Sequence, residues 1–209
     1  MPAVGSAPIF DGDNETDKKY IAMTPKADAV INTAKYSKID TTSYAISAVP
    51  EGKSVVYNHS RGGCVQRKGG TRAWRNNNPG CIRYSPWTRD MGAIGEAGGF
   101  AVFPDEETGR CAITELLKTN SYRNLTIARA VAKYAPPAEN NTERYKRRLS
   151  QQTGLALNKR LRDLNSQQLE RVADAIKDIE GWKAGEIITV APDTITGAQM
   201  INLALSNQR

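Results

Sequence analysis

The sequence is poor in the side chains that most often build metal centres and nucleophilic sites. Its 209 residues include one histidine and three cysteines. Because so few ligands at scattered positions do not form a recognisable zinc site, we expect neither a metal nor another cofactor. Three cysteines also leave at least one thiol outside any disulfide within the chain.

Long apolar runs are absent as well. No stretch approaches the roughly 20 apolar residues that a membrane-spanning helix needs. The first residues also lack the basic and then apolar pattern of a secretory signal. We therefore expect no membrane insertion and no classical signal peptide.

The net charge of +7 is concentrated in one stretch. Residues 58–150 contain 16 Lys and Arg against 8 Asp and Glu, whereas the stretches before and after them are close to neutral. Such a charge favours an anionic partner, although a well-solvated surface would explain it equally well. The sequence has no helix-turn-helix phrase, zinc-finger spacing or aromatic RNA-binding strand, so nucleic acid is not the expected partner. An anionic bacterial cell wall remains a candidate.

The pattern of the chain predicts three segments. Residues 1–60 form an N-terminal extension or subdomain, residues 61–185 the main domain, and residues 186–209 a C-terminal tail that packs on it. Ten of the 17 glycines lie between Arg61 and Gly109, which indicates a loop-rich region. Helix-start signals follow at Asp105, Thr126, Asn140–Thr142 and Asn165. Other predicted elements are strands at Tyr20–Met23, Tyr44–Ala48, Ser54–Tyr57 and Ile187–Ala191, a helix near Lys26–Ala34, and an amphipathic segment at Ala198–Leu205. The predicted fold class is mainly α, an α+β fold with a small β component.

Glu180 is the most informative single residue. At about 100° per residue it falls about 20° from Leu169, near the centre of the apolar stripe that Leu169 forms with Val172, Ala173 and Ile176. It also lies at the negative end of the predicted helix dipole, so burial and the dipole should both raise its pKa. A carboxyl with a raised pKa is suited to general-acid catalysis, as in glycoside hydrolysis. The alternative is that the last turn frays and Glu180 faces water or a basic neighbour such as Lys183.

Three consecutive asparagines precede a Pro-Gly turn. Asn76, Asn77 and Asn78 offer amide donors and acceptors that could hold sugar hydroxyl and acetamido groups, and the neighbouring Trp74, Tyr84 and Trp87 could stack on sugar rings. Alternatively, the asparagines cap their own turn and the aromatic residues belong to the core.

Three motifs stand out along the middle of the chain: RNNNPGCIRY at residues 75–84, GFAVFP at residues 99–104 and YAPPAENNTERY at residues 134–145. They resemble the motifs RNNNPGNIRY, FxxF and YAPPxENxTxxY of a bacterial and phage family of virion-associated proteins. Cys81 stands where the family has Asn. The same order of motifs is similar to the glucosaminidase branch of the lysozyme-like superfamily. The resemblance implies a lysozyme-like helical domain whose glycan contacts are Asn76, Asn77, Asn78, Tyr84, Tyr134, Asn140, Thr142 and Tyr145.

The resemblance also implies a catalytic acid. In the glucosaminidases it precedes the asparagine loop, but Val55–Arg75 contains no Glu. We therefore expect a circularly permuted arrangement in which Glu180 is the general acid and Glu139 activates water or anchors the substrate. The implied activity is cleavage of the peptidoglycan glycan strand by a muramidase, glucosaminidase or lytic transglycosylase reaction. The implied partners are peptidoglycan and an immunity protein or a secretion or phage spike component, with delivery from the cytoplasm to the periplasm or cell wall.

Two other functions remain open from the sequence. A cysteine amidase or peptidase would have to pair His59 with Cys64, Cys81 or Cys111. A disulfide between Cys64 and Cys81, or between Cys81 and Cys111, would remove that nucleophile. A non-catalytic virion or adaptor protein that only binds cell wall is the third interpretation.

Overall fold

A computed structural model describes residues 43–138 and 140–190. This part of the chain is 41% helix and 22% strand, and it includes a four-stranded antiparallel sheet. The prediction of a mainly α fold is therefore wrong, and the protein is a mixed α+β domain. The error arose in the glycine-rich stretch, where glycines on either side of Cys64–Lys68 mark turns that flank a strand.

The main sheet joins strands from distant parts of the chain. Its order is β1 (Ala45–Glu51), β2 (Ser54–His59), β3 (Cys64–Lys68) and β6 (Glu186–Val190). Gly52 at φ 57°, and Gly62 and Gly63 at φ 81° and 76°, allow the two tight turns between β1, β2 and β3. The segment boundary predicted after residue 60 separates β2 from its partner β3, and the boundary predicted after residue 185 separates β3 from its partner β6.

Three of the predicted strands are confirmed with shifted ends. The predictions for residues 44–48, 54–57 and 187–191 overlap β1, β2 and β6. The strand predicted at Tyr20–Met23, the helix predicted near Lys26–Ala34 and the amphipathic segment Ala198–Leu205 lie outside the described residues.

Helices occupy most of the chain between β3 and β6. Two short helices, α1 (Arg72–Arg75) and α2 (Pro86–Asp90), precede a small hairpin of β4 (Gly95–Ala97) and β5 (Phe100–Val102). The longer helices are α3 (Glu106–Lys118), α4 (Ile127–Tyr134), α5 (Thr142–Thr153) and α6 (Ser166–Glu180). None of the described helices is long and apolar enough to cross a membrane.

The longer helices begin where the sequence predicted. The side chains of Asp105, Thr126, Asn141 and Asn165 each accept a hydrogen bond from a backbone N–H in the first turn. At the other end, Gly154 and Gly181 adopt the left-handed conformation that terminates α5 and α6. Polar caps and glycine stops therefore fix the boundaries of these helices.

Helices α3 to α6 enclose the main hydrophobic core. Helix α6 contributes Leu169, Val172, Ala173 and Ile176, the apolar face predicted from its periodicity. A smaller cluster, which includes Val55 and Val102, lies between the sheet and the β4–β5 hairpin. The apolar face of α6 therefore holds this helix against the main core.

The chain after α6 is tied back to the β3–α1 turn. The backbone N–H of Thr71 donates to Lys183 O at 3.0 Å, and Lys183 N–H donates to Thr71 Oγ1 at 3.1 Å. Gly70 has no room for a side chain, because an added Cβ would lie 2.6 Å from Gly185 N. These contacts, with the β3–β6 pairing, fix the position of residue 180.

Candidate functional site

Glu180 is the last residue of α6 and is partly buried. Its Oε1 accepts a hydrogen bond from the hydroxyl of Tyr145 on α5 at 3.2 Å. Burial raises the pKa of Glu180 from its ordinary 4.5 to about 7, while hydrogen bonding by Tyr145 and Cys81 acts in the opposite direction and lowers it. The predicted direction of this pKa change is confirmed.

Four side chains from separate elements form what we call the Glu180 cluster: Cys81, Tyr134, Tyr145 and Glu180. The rings of Tyr134 and Tyr145 meet edge to face with centroids 6.4 Å apart. The Tyr134 hydroxyl donates to the carbonyl of Gly80, the residue before Cys81. The contacts thus run from Glu180 to Tyr145 and Tyr134 and end at the backbone beside Cys81.

Gly80 is required at this point by its neighbours. A Cβ at that position would lie 2.6 Å from the Tyr134 hydroxyl and 2.7 Å from Ile113 Cγ1. The turn therefore packs directly on α3 and α4, and the position of Cys81 is fixed by that packing.

Glu180 is the member of the cluster that changes charge near neutral pH. Burial raises the pKa of Cys81 to about 12, and burial and the charge of Glu180 raise the pKa of Tyr134 and Tyr145 well above 10. The nearby cations have smaller effects: Arg72 lowers the pKa of Cys81, and Arg148 lowers that of Tyr145. The cluster therefore presents one titrating carboxyl among neutral donors.

The three asparagines point inward. Asn76, Asn77 and Asn78 are at most 2% exposed, and each donates its side-chain amide to backbone carbonyls of this chain. The acceptors are Ala97, Ala101, Phe103, Pro104 and Ile82. The structure does not place these amides where a glycan could reach them, because they satisfy irregular backbone around the β4–β5 hairpin. This inward orientation matches the alternative interpretation, in which the asparagines cap their own turn.

The other predicted glycan contacts divide into buried and partly exposed side chains. Tyr134, Tyr145 and Thr142 are buried, and the Thr142 hydroxyl donates to Ala135 O at 2.6 Å. Asn140 and Tyr84 are partly exposed, and Tyr84 packs against the main core. Glu139, the predicted second carboxylate, lies outside the described residues. Of the predicted set, the structure brings Glu180, Tyr145 and Tyr134 together.

Two of the tryptophans that could stack on sugars contact the core instead. Trp74 is 5% exposed, and the guanidinium of Arg67 lies 4.9 Å from its ring centroid. Trp87 is partly buried against the main core. The structure therefore does not present Trp74 as a sugar-stacking surface.

The cysteine site predicted as an alternative is not supported by the thiol environments. Cys64, Cys81 and Cys111 are all free, so neither proposed disulfide is present. Burial raises the pKa of each thiol, whereas a nucleophilic cysteine needs a lowered pKa. His59 lies on β2, and its Nδ1 is 3.5 Å from Ser43 Oγ.

Within residues 43–138 and 140–190, no group of three or more His, Cys, Asp or Glu side chains lies close enough together to hold an ion.

Cys81 is the member of the cluster that sequence reasoning did not assign to Glu180. Its backbone has φ 47°, in the left-handed region that favours Gly or Asn. A cysteine directly after Pro-Gly, at a position where the resembling family has Asn, was the available signal.

No protein-family model matches the sequence, and no curated protein matches it.

Proposed function

We propose that the protein is a peptidoglycan glycan-strand hydrolase in which Glu180 is the general acid. The observation that carries the proposal is a partly exposed carboxyl at the end of α6 whose pKa lies near 7 and which accepts a hydrogen bond from Tyr145 at 3.2 Å. An acid with a pKa close to the working pH is protonated often enough to donate and acidic enough to transfer its proton. This combination is the one that glycoside cleavage requires.

In the proposed reaction, protonated Glu180 transfers its proton to the glycosidic oxygen as the bond to the anomeric carbon breaks. The leaving sugar departs as an alcohol, and water or a hydroxyl of the substrate adds to the anomeric carbon while it gives up its proton to Glu139 or to the now ionised Glu180. Attack by water gives a reducing end, and attack by the substrate's own 6-hydroxyl gives a 1,6-anhydro end. Glu139 remains the proposed second carboxylate, which activates water or anchors the substrate.

Charge around the cluster supports an anionic substrate. Arg72 on α1 lowers the pKa of Cys81 and Arg148 on α5 lowers that of Tyr145, so cations from two elements lie near the residues around Glu180. Both belong to residues 58–150, where the excess positive charge lies. The stem peptides of peptidoglycan carry free carboxylates, and a positive field raises the local concentration of an oppositely charged substrate.

The proposed setting follows from the substrate. Peptidoglycan lies outside the cytoplasmic membrane, so the protein would be delivered to the periplasm or cell wall by a phage particle, by lysis or by a contact-dependent apparatus such as type VI secretion. An immunity protein or a spike component is the proposed partner for such a role.

Clearing of purified cell walls by a Glu180→Gln variant tests the proposal. Glu170→Gln is the matched control, because Glu170 is exposed on the same helix. We expect Glu180→Gln to lose at least about 100-fold in clearing rate, the usual contribution of a general acid, while Glu170→Gln keeps the wild-type rate. Clearing by Glu180→Gln at the wild-type rate would refute the role of Glu180.

Mass spectrometry of the released fragments distinguishes the rival functions. New reducing or 1,6-anhydro sugar ends support glycan cleavage. Free stem peptides with intact glycan would indicate an amidase or peptidase. Protein that sediments with the wall without clearing it would indicate the non-catalytic wall-binding protein.

A further inference from the structure

We propose that a basic surface near the start of α6 anchors the protein to uncut peptidoglycan through the carboxylates of the stem peptides. The basic surface consists of Arg123, Lys133, Arg160 and Arg162, whose side chains are all exposed. The inference rests on the proposed function and deepens it, because it adds a second contact with the same polymer away from Glu180.

The basic surface exists because two distant segments of the chain are paired. The backbone N–H of Arg162 donates to Arg123 O at 2.8 Å, and the N–H of Ile127 donates to Lys159 O at 2.9 Å. The loop between α3 and α4 therefore lies beside the loop between α5 and α6. Basic residues that are far apart in the sequence are thus brought onto one surface.

Three cationic side chains are held against residues 121–124 of the first loop. Arg160 donates from Nη1 to Asn124 O at 3.3 Å, and Arg162 donates from Nη1 to Asn124 Oδ1 at 3.2 Å. Lys133 on α4 donates from Nζ to Ser121 O at 3.3 Å. All three acceptors are uncharged oxygens, so these contacts hold the cations in place without neutralising them.

Acidic groups are scarce in the segments that form the basic surface. Residues 119–133 and 157–164 contain six Lys and Arg and a single acid, Asp163. Asp163 Oδ1 lies 3.7 Å from Arg162 Nε, and the two side chains are 55% and 50% exposed. Because so exposed an ion pair is weak, the surface keeps most of its positive charge. An anion that binds there relieves the mutual repulsion of the cations.

The chemistry of these side chains fits a repeating carboxylate. A guanidinium has five N–H donors, and the bonds to Asn124 use one nitrogen each of Arg160 and Arg162. The remaining N–H groups suit the two-point binding of a carboxylate that arginine favours. Uncut peptidoglycan presents carboxylates repeatedly along its length, one set for each stem peptide. A surface of several separate cations therefore complements this polymer.

The basic surface and Glu180 lie towards opposite ends of α6. Arg162 belongs to a short 3-10 helix, Leu161–Asp163, that precedes α6, whereas Glu180 is the last residue of α6. The 15 residues of α6 span about 22 Å. Peptidoglycan bound at the basic surface therefore leaves the acid site open for the strand that is cut.

Sedimentation with purified peptidoglycan, freed of attached phosphate polymers, measures the proposed contact. The test variant of the full-length protein carries three substitutions in the basic surface: Arg123→Gln, Arg160→Gln and Arg162→Gln. The matched control carries three substitutions at exposed cations elsewhere, with the same change of net charge: Lys53→Gln, Arg89→Gln and Arg171→Gln. Because an exposed ion pair contributes modestly, the loss of three should weaken binding about tenfold, and the control should bind within about twofold of the wild type. Wild-type binding by the test variant, or equal weakening in both variants, would overturn the inference.

Peptidoglycan whose stem carboxylates have been amidated tests the ligand without any change to the protein. The wild type should bind it about tenfold more weakly than untreated peptidoglycan, since the same ion pairs are lost from the other side. Equal binding to both materials would overturn the inference. Binding only to walls that retain phosphate polymers, or stronger binding to duplex DNA than to peptidoglycan, would also overturn it.

Cleavage of soluble tetrasaccharide fragments separates this inference from the proposed function. Such fragments, bound across Glu180, are too short to reach the basic surface. Below saturation, the ratio of wall clearing to fragment cleavage should therefore fall about tenfold in the test variant. An unchanged ratio would overturn the inference and leave the proposed function intact. Binding that is weakened in the test variant alone, in a protein that cleaves neither substrate, would support the inference and refute the proposed function.

Discussion

Burial of Glu180 should make the stability of the protein depend on pH in a way that one substitution removes. The pKa of this carboxyl is about 7 in the folded protein and about 4.5 when exposed. Between these values the folded state binds more protons than the unfolded state, so the free energy of unfolding falls as pH rises. The loss of stability caused by ionising the buried carboxyl is absent below pH 4.5 and complete above pH 7.

The size of this cost follows from the pKa difference. The gap between 4.5 and about 7, at about 1.4 kcal/mol for each pH unit, corresponds to about 3 kcal/mol. Partial contact with water reduces that figure, so we expect about 2 to 3 kcal/mol. Glu180→Gln keeps the shape of the side chain and an acceptor for Tyr145 but removes the charge. It should therefore be more stable than the wild type at high pH.

Urea denaturation of both proteins at pH 4 and pH 8.5 measures the effect. At each pH the free energy of unfolding of the wild type is subtracted from that of Glu180→Gln. The result at pH 8.5 is then compared with the result at pH 4. This comparison cancels losses that do not depend on pH. The variant should gain about 2 to 3 kcal/mol between the two conditions, or about 5 to 10 °C in Tm for a chain of this length.

An equal stability difference at both pH values would refute the reasoning. Glu180 would then ionise like an exposed carboxyl, and the general-acid proposal would lose its physical basis. Glu170→Gln is the control here too, and its stability relative to wild type should be the same at both pH values because Glu170 is exposed.

Two further substitutions test the turn that carries Cys81. Asn78→Ala removes the side-chain hydrogen bonds to the N–H of Ile82 and to the carbonyls of Ile82 and Ala101. We therefore expect the free energy of unfolding, measured by urea denaturation, to fall by about 3 kcal/mol or more. A wild-type urea midpoint would contradict the inward orientation of this side chain. Gly109→Ala places a Cβ onto the carbonyl oxygen of Asn77, so folded protein should be lost or its Tm lowered by more than about 5 °C. Thermal unfolding followed by circular dichroism measures this, and an unchanged Tm would show that α3 does not pack closely on the turn.

The sequence predicted the helices well because their signals are local. Thr126, Asn165 and Gly181 stand at the ends of apolar stripes, and caps act over a single turn. The orientation of Glu180 followed from the same periodicity, since α6 buries the face on which it lies.

The sheet was predicted less well because its pairing is not local. Strand β3 lies in a glycine-rich stretch and pairs with β6, more than a hundred residues further along the chain. No property of either short segment identifies the other as its partner. The mixed fold class was missed for this reason.

The composition of the asparagine loop did not reveal its orientation. Amide side chains can hold a ligand or satisfy the chain's own backbone with the same atoms. The orientation of Asn76–Asn78 depends on the unpaired carbonyls around the β4–β5 hairpin, which become apparent only when the fold is known. The effect of Cys81 on the pKa of Glu180 was hidden in the same way.

The link between Thr71 and Lys183 has a consequence for when the acid chemistry arises during folding. It joins residues 112 positions apart, and contacts across so long a loop form only after much chain entropy has been lost. Helix α6 alone would leave Glu180 in water as an ordinary, ionised carboxylate. The raised pKa of Glu180 is thus acquired only when residues 71 and 183 come together, late in the completion of the fold.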